Sequence, residues 1–234
     1  MKVGLFGLGH LGKIHLKCLA ETDFDLVGIY DPILNVSEYQ NHKVFSSPSS
    51  LIDAVDACLV VSSTDQHYAL ASQIIEAGRH CFVEKPLAST VTQAQSLLTL
   101  AENNPELITQ VGFVERYNPA YEFVGPEINN PRFIEVHRLA QFNERGIDVS
   151  VVHDLMIHDL DLILSMKTVP IKEIRATGVN VLTDKMDICN ARIEFEDGCV
   201  ANVTASRMSM KNMRKFRIFQ SNAYVSMDLS LIHI

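Results

Sequence analysis

Gly7, Gly9 and Gly12, set between an apolar run at residues 2–6 and an amphipathic pattern at 10–21, constrain this chain more than any other feature. A G-x-G-x-x-G segment is weak by itself, but a strand before it and a helix after it give the turn a definite use. The first glycine allows the tight turn, the second lets backbone approach a pyrophosphate, and the third lets helix and strand pack closely. Phosphates at such a turn meet the free N–H groups of the helix start, which adds His10 and Leu11 to the candidate cofactor contacts. Asp31 closes the next apolar run, 26–30, and stands 24 residues beyond Gly7. A carboxylate there suits ribose hydroxyls and repels a 2′-phosphate, and no arginine lies nearby to receive one. The expected cofactor is NAD rather than NADP.

Alternation of strand and helix continues from there. Residues 57–61 and 80–83 read as strands; 66–77 and 90–102 read as helices, the first ended by Gly78. The prediction is an α/β fold, an N-terminal Rossmann domain with a doubly wound parallel sheet. Beyond residue 120 the pattern changes to a long strand at 133–141 and a densely apolar helix at 151–166. Strands follow near 171–181, 188–195, 199–205, 216–219 and 224–227, with Glu196-Asp197-Gly198 as a hairpin turn. Consecutive strands with tight turns predict a C-terminal α+β domain with an open, mainly antiparallel sheet. The expected domains are 1–119, binding NAD(P), and 120–234, binding substrate and mediating assembly. The last strand reads as stopping in mid-sheet with a short apolar tail at 229–234, so we expect a truncated C-terminus and an incomplete second sheet.

The net charge of −8 argues against nucleic acid or an anionic membrane as partner. No apolar run reaches the roughly 20 residues of a membrane span. Five cysteines without C-x-x-C spacing, and no signal peptide, point to a reducing, cytoplasmic setting.

Two further constellations carry chemistry. In Glu84-Lys85-Pro86 a lysine follows the strand at 80–83, beside an acid and before a proline. Ligands of open α/β sheets bind at strand carboxyl ends, which makes Lys85 a candidate proton-transfer group; a surface ion pair is the plain alternative. In His153-Asp154-Leu155-Met156-Ile157-His158-Asp159-Leu160-Asp161, Asp154 and His158 are four apart and share a helix face. A histidine with a carboxylate neighbour suits a general base, although a core histidine satisfied by Asp154 reads equally well. His153 and His158 are five apart and diverge on a helix, so no metal is expected.

These motifs together resemble the Gfo/Idh/MocA oxidoreductase family, over residues 1 to about 228. Ala77-Gly78-Arg79-His80 resembles the family's A-G-K-H lead-in to E-K-P, and Gly112-Phe113 with Arg116-Tyr117-Asn118-Pro119 its G-F-x-x-R-x-x-P segment. The resemblance implies hydride transfer from a secondary alcohol to the nicotinamide. Lys85 and His158 would be catalytic, with Asp154 binding substrate or orienting the base. Glu84 would lie with Lys85 at the cofactor, and Arg116 and Asn118 near the substrate. Ser62, Thr64 and His67 match the family's T-P-N-x-x-H loop, with Ser63 in place of its proline. Residues 115–119 and 151–161 look most like the members that oxidise the 3-hydroxyl of UDP-N-acetylglucosamine, and Arg207, Lys211 and Arg214 would then be candidates for a diphosphate. The implied partner is a small sugar or nucleotide sugar, and the implied assembly a homodimer or homotetramer of the full-length protein. An inositol, dihydrodiol or other polyol dehydrogenase of the same family, or a non-catalytic NAD-binding sensor or inactive fragment, are the alternatives.

Overall fold

The structure is a computed structural model that describes residues 1–143 and 149–230. The chain divides into two compact units, Met1–Gly112 and Phe113–Ile234. Of the expected apolar tail, residues 231–234 lie outside the described residues.

The first unit runs β1 (Lys2–Phe6), α1 (His10–Leu19), β2 (Asp25–Tyr30), a hairpin of β3 (Glu38–Tyr39) and β4 (His42–Lys43), α2 (Pro48–Ile52), β5 (Ala57–Val60), α3 (Thr64–Glu76), β6 (His80–Glu84), α4 (Val91–Glu102) and β7 (Thr109–Gly112). Five of its strands form one parallel sheet in the order β2-β1-β5-β6-β7. Strands buried on both faces need side chains that are apolar throughout, and β1 has them: its last four residues are all buried. Phe6, Val60, Ile74 and Val83 pack in one apolar cluster, and Leu5, Leu16 and Ile29 in another. The chain leaves β1 to one side for β2 and returns on the other side for β5, so the strand order reverses between β1 and β5. A crevice opens at the carboxyl ends of strands at such a point. The hairpin, α2 and β7 are absent from the sequence expectation: each is two to five residues long, and none carries the continuous apolar run that marks β5 and β6.

The second unit begins with a 3-10 turn at Val114–Tyr117, followed by α5 (Pro119–Val124), which packs on its core. This puts the division ahead of the expected 119/120 boundary. Then come β8 (Phe133–Leu139), a π-helical stretch at Val152–Met156 that runs into α6 (Ile157–Met166), β9 (Ile171–Val179), β10 (Ile188–Phe195), β11 (Val200–Ser206), β12 (Met213–Gln220) and β13 (Ala223–Asp228). The six strands order as β13-β12-β8-β11-β10-β9, antiparallel except for β8 and β11, which run parallel. Alternate residues of the central strands turn inward, where Ile134, Val136, Ile193, Val203 and Phe216 cluster with Leu162 and Ile163 of α6. The helix expected at 151–166 is therefore two structures, a π-helical stretch and an α-helix. Four of the five cysteines are buried in these cores. Burial pushes the Cys58 thiol up to about 12, so it behaves as a small apolar residue.

Candidate active site

At the reversal point of the first sheet a cleft of about 700 Å³ is lined by the glycine turn, His10, Leu11, Asp31, Ile33, Ser62, Ser63 and Gln66, among others. The three glycines differ in what surrounds them. Gly7 has φ +97°, and a Cβ there would lie 2.7 Å from the backbone of Ser62. A Cβ on Gly12 would lie 2.2 Å from the Gly7 carbonyl oxygen. A Cβ on Gly9 would meet nothing within 4 Å. Two glycines thus let β1, α1 and the end of β5 close on one another, while the third leaves its space open toward the cleft. Gly9 caps α1 without a side-chain hydrogen bond, and no acidic residue lies in the first turn, so the helix start suits an anion. These features fit a dinucleotide. Asp31 Oδ2 accepts from the Leu8 N–H at 2.7 Å and Oδ1 from the Ile33 N–H at 2.9 Å. Its carboxylate therefore holds the glycine turn in shape while lining the cleft, and two oxygens retain lone pairs for ribose hydroxyls.

Lys85 follows β6 directly and is half-buried, with a cis peptide bond to Pro86. Its neighbours on both sides are held. Glu84 Oε1 lies 2.8 Å from Nε2 of His15 on α1, and Oε2 accepts from the Lys85 N–H at 3.2 Å. The carbonyl of Pro86 lies 2.7 Å from Nδ1 of His67 on α3, whose Nε2 lies 3.1 Å from the carbonyl of Ser62. His67 is 1% exposed. With both ring nitrogens on main-chain oxygens, it ties two loops together and does not line the cleft as a cofactor contact would. Thr64 starts α3, and its carbonyl accepts from Ser89 Oγ at 3.4 Å.

In the second unit Asp154 lies in the π-helical stretch and His158 in the first turn of α6, both half-buried. π-Helical stretches are rare and concentrate at functional sites. Asp154 shares a cleft of about 420 Å³ with Gln141, Asn143, Arg207 and Asn212. Two ion pairs anchor the helix around His158. Asp159 takes Nε and Nη2 of Arg138 at 2.9 and 2.8 Å, and Asp161 takes Nε and Nη2 of Arg116 at 2.7 and 2.6 Å. Arg138 Nη1 also donates to Glu115 Oε1 at 2.8 Å. Burial works against the Arg138 charge, but Asp159 and Glu115 outweigh it and hold the guanidinium above its ordinary range. Asn118, expected near substrate, is buried instead: Oδ1 caps α5 through the Ala120 N–H, and Nδ2 donates to Glu115 and to the Leu229 carbonyl. Both amide hydrogens are used, so Asn118 is a brace. Arg207 is 4% exposed and donates to the Val149 carbonyl at 2.8 Å, while Arg214 lies 3.5 Å from Glu115. Arg207 is thus a buried residue, while Arg214 is exposed beside Glu115. The partners Arg138, Asp159 and His15 escaped sequence reading because each pair is joined across 21 to 69 positions.

The cleft and the fold define an NAD-binding oxidoreductase of the dehydrogenase class. The chain belongs to the GFO/IDH/MocA oxidoreductase family: the family's NAD-binding Rossmann fold matches residues 1–113 and its C-terminal domain residues 128–226. The UDP-N-acetylglucosamine 3-dehydrogenase of Acidithiobacillus ferrooxidans is 35% identical over all of this chain and 76% of its own length. The solved structure of that enzyme superposes with a TM-score of 0.90 at 34% identity, over 98% of this chain and 77% of its own. An inositol 2-dehydrogenase of Paracoccus denitrificans is 32% identical over 70% of this chain, which spans 53% of that relative. A scyllo-inositol dehydrogenase of Lactobacillus casei, solved with NAD(H) and scyllo-inositol, shares the fold at a TM-score of 0.84 and 20% identity, over 97% of this chain and 76% of its own. No described helix is long and apolar enough to cross a membrane.

Proposed function

We propose that this chain oxidises a secondary hydroxyl of a nucleotide sugar, the 3-hydroxyl of UDP-N-acetylglucosamine, with NAD as the preferred cofactor. Identity of 35% along the whole chain to an enzyme of that name carries the reading. Gly7, Gly9, Gly12 and the start of α1 would hold the pyrophosphate, and Asp31 the adenosine ribose. NAD held there supplies the hydride acceptor. The carboxylate of Asp31 favours NAD by repelling a 2′-phosphate.

The chain's own groups handle the proton and the orientation. His158 accepts the hydroxyl proton on a ring nitrogen as the carbon loses its hydride. Lys85 assists the proton transfer and the orientation of the reacting hydroxyl. Asp154 binds substrate or orients the base. Arg116, fixed by Asp161 yet half exposed along its side chain, offers a positioned cation to the substrate. Asn118, through Glu115, and His67, through the Pro86 carbonyl, hold chain neighbours of Arg116 and Lys85. Residues 1–112 then serve the cofactor and 113–234 the substrate and assembly.

The test is NADH formation from NAD and UDP-N-acetylglucosamine, with an aminotransferase added to remove the keto product. Lys85→Ala should lower turnover by about 10²–10⁴-fold and leave NAD affinity in place. Turnover on inositol and not on the nucleotide sugar would favour the second reading, a polyol dehydrogenase, which the Paracoccus relative supports. Tight NAD binding with no turnover on either substrate would reduce the chain to an NAD-binding protein.

A further inference from the structure

His15 and His67 belong to different helices, yet both end on the tripeptide that carries Lys85. His15 lies on α1, which starts at the glycine turn, and its ring packs 5.6 Å from that of Phe82. An ionised Glu84 can only accept, so His15 presents Nε2–H to it at 2.8 Å. The other Glu84 oxygen accepts the Lys85 N–H. Gly112 makes room for this arrangement, since a Cβ there would lie 2.9 Å from the Glu84 carboxyl. On the other side of Lys85, His67 lies between the carbonyls of Pro86 and Ser62. Carbonyl oxygens also only accept, so His67 acts as a donor. The start of α1 and Ser62 both line the 700 Å³ cleft.

We propose that His15 and His67 are positioning residues that brace Lys85 through Glu84 and Pro86, so that a dinucleotide seated against α1 and Ser62 sets the position of the lysine amine. This rests on the reading that Lys85 serves the reaction. Each half of the brace has one end on a cleft wall and the other on a residue flanking Lys85, so a shift of either wall is passed to the lysine. Neither histidine takes part in the proton or hydride transfer itself.

The experiment uses the full chain with its lysines carrying ¹³C-methyl labels, and follows the Lys85 signal, identified by its loss in Lys85→Arg, at saturating NAD. NAD should move that signal in the wild type and in His67→Gln, whose amide N–H₂ can still reach the carbonyls. In His67→Leu and His15→Leu the movement should fall to less than half. Glu84→Gln, which keeps side-chain size and removes one acceptor, should do the same if the leucine variants fail to fold. A Lys85 signal that NAD does not move in the wild type, or moves equally in the disrupting variants, overturns the proposal. Turnover separates it from the parent reading: a signal that moves as described in a chain without dehydrogenase activity supports the brace and sinks the proposed reaction. Active enzyme with unaltered movement in the disrupting variants does the reverse. Where turnover is measurable, both leucine variants should lose about 100-fold in kcat with the sugar KM kept.

Discussion

The three glycines of the first turn are required for different physical reasons, and substitution separates them. Gly12→Ala puts a methyl group 2.2 Å from a backbone oxygen that cannot move without β1. It should cost about 1–3 kcal/mol of stability, seen as a lowered midpoint in urea. Gly9→Ala meets no protein atom, so its urea midpoint should match the wild type while NAD affinity falls about tenfold, or 1.4 kcal/mol. Equal loss of stability in both variants would remove the argument that Gly9 leaves room for a ligand. These glycines and Lys85 were legible in the sequence because their meaning lies in their immediate neighbours: a strand before, a helix after, a proline beside. His67 and Asn118 were legible as motif positions and not as contacts. Each is consumed by partners as remote as Pro86 and Leu229, and spacing carries no information about them.

At the scale of elements, periodic segments such as α3 and β10 and short apolar runs such as β5 were readable, whereas short polar segments such as α2 and the β3–β4 hairpin were not. The π-helical stretch before α6 has the same apolar filling as an α-helix and leaves no mark in the pattern. Two ion pairs add to the apolar packing that holds that helix. Arg138→Leu would strand Asp159, which is 1% exposed, and leave the buried Glu115 with only the exposed Arg214 and the Asn118 amide, and should cost about 3–5 kcal/mol; replacing Asp159 and Glu115 by apolar residues in the same chain should restore much of it. No recovery in the triple variant would mean that packing, not charge, is at stake. The segment before β10 behaves differently. Asp187 is fully buried, and its Oδ2 accepts from the N–H groups of Val181, Leu182 and Thr183 at 2.8 to 3.0 Å. Burial would push this carboxyl up, but the N–H donors and the Thr183 hydroxyl outweigh it and hold it well below the usual carboxylate range. Unfolding returns it to a pKa of about 3.9, so the unfolded chain binds the proton more readily. The stabilisation is thus complete above that value and fades as pH falls toward the lower folded one. Asp187→Asn should lower stability at neutral pH, and the gap to wild type should narrow below about pH 4. A gap that stays constant with pH would exclude the carboxylate charge as its source.

Across the whole molecule, the assignment of cofactor to one unit and substrate to the other has its own test. At a hundred times its dissociation constant, NAD adds about 2.7 kcal/mol to any opening that releases it. Hydrogen exchange should slow most after β1 and β5 in residues 1–112, whereas UDP-N-acetylglucosamine should slow exchange around residues 152–158. Protection by NAD confined to residues 113–230 would reverse the assignment. The sequence by itself determined the class of each sheet, the glycine turn and the lysine after β6, because periodicity and turn chemistry act over a few neighbouring residues. Tertiary structure alone decided that Asp159 pairs with Arg138, that Asn118 is spent on a cap, and that two histidines flank Lys85. Burial makes an unpaired polar group costly, and which partner satisfies it depends on what the folded chain brings within hydrogen-bonding distance.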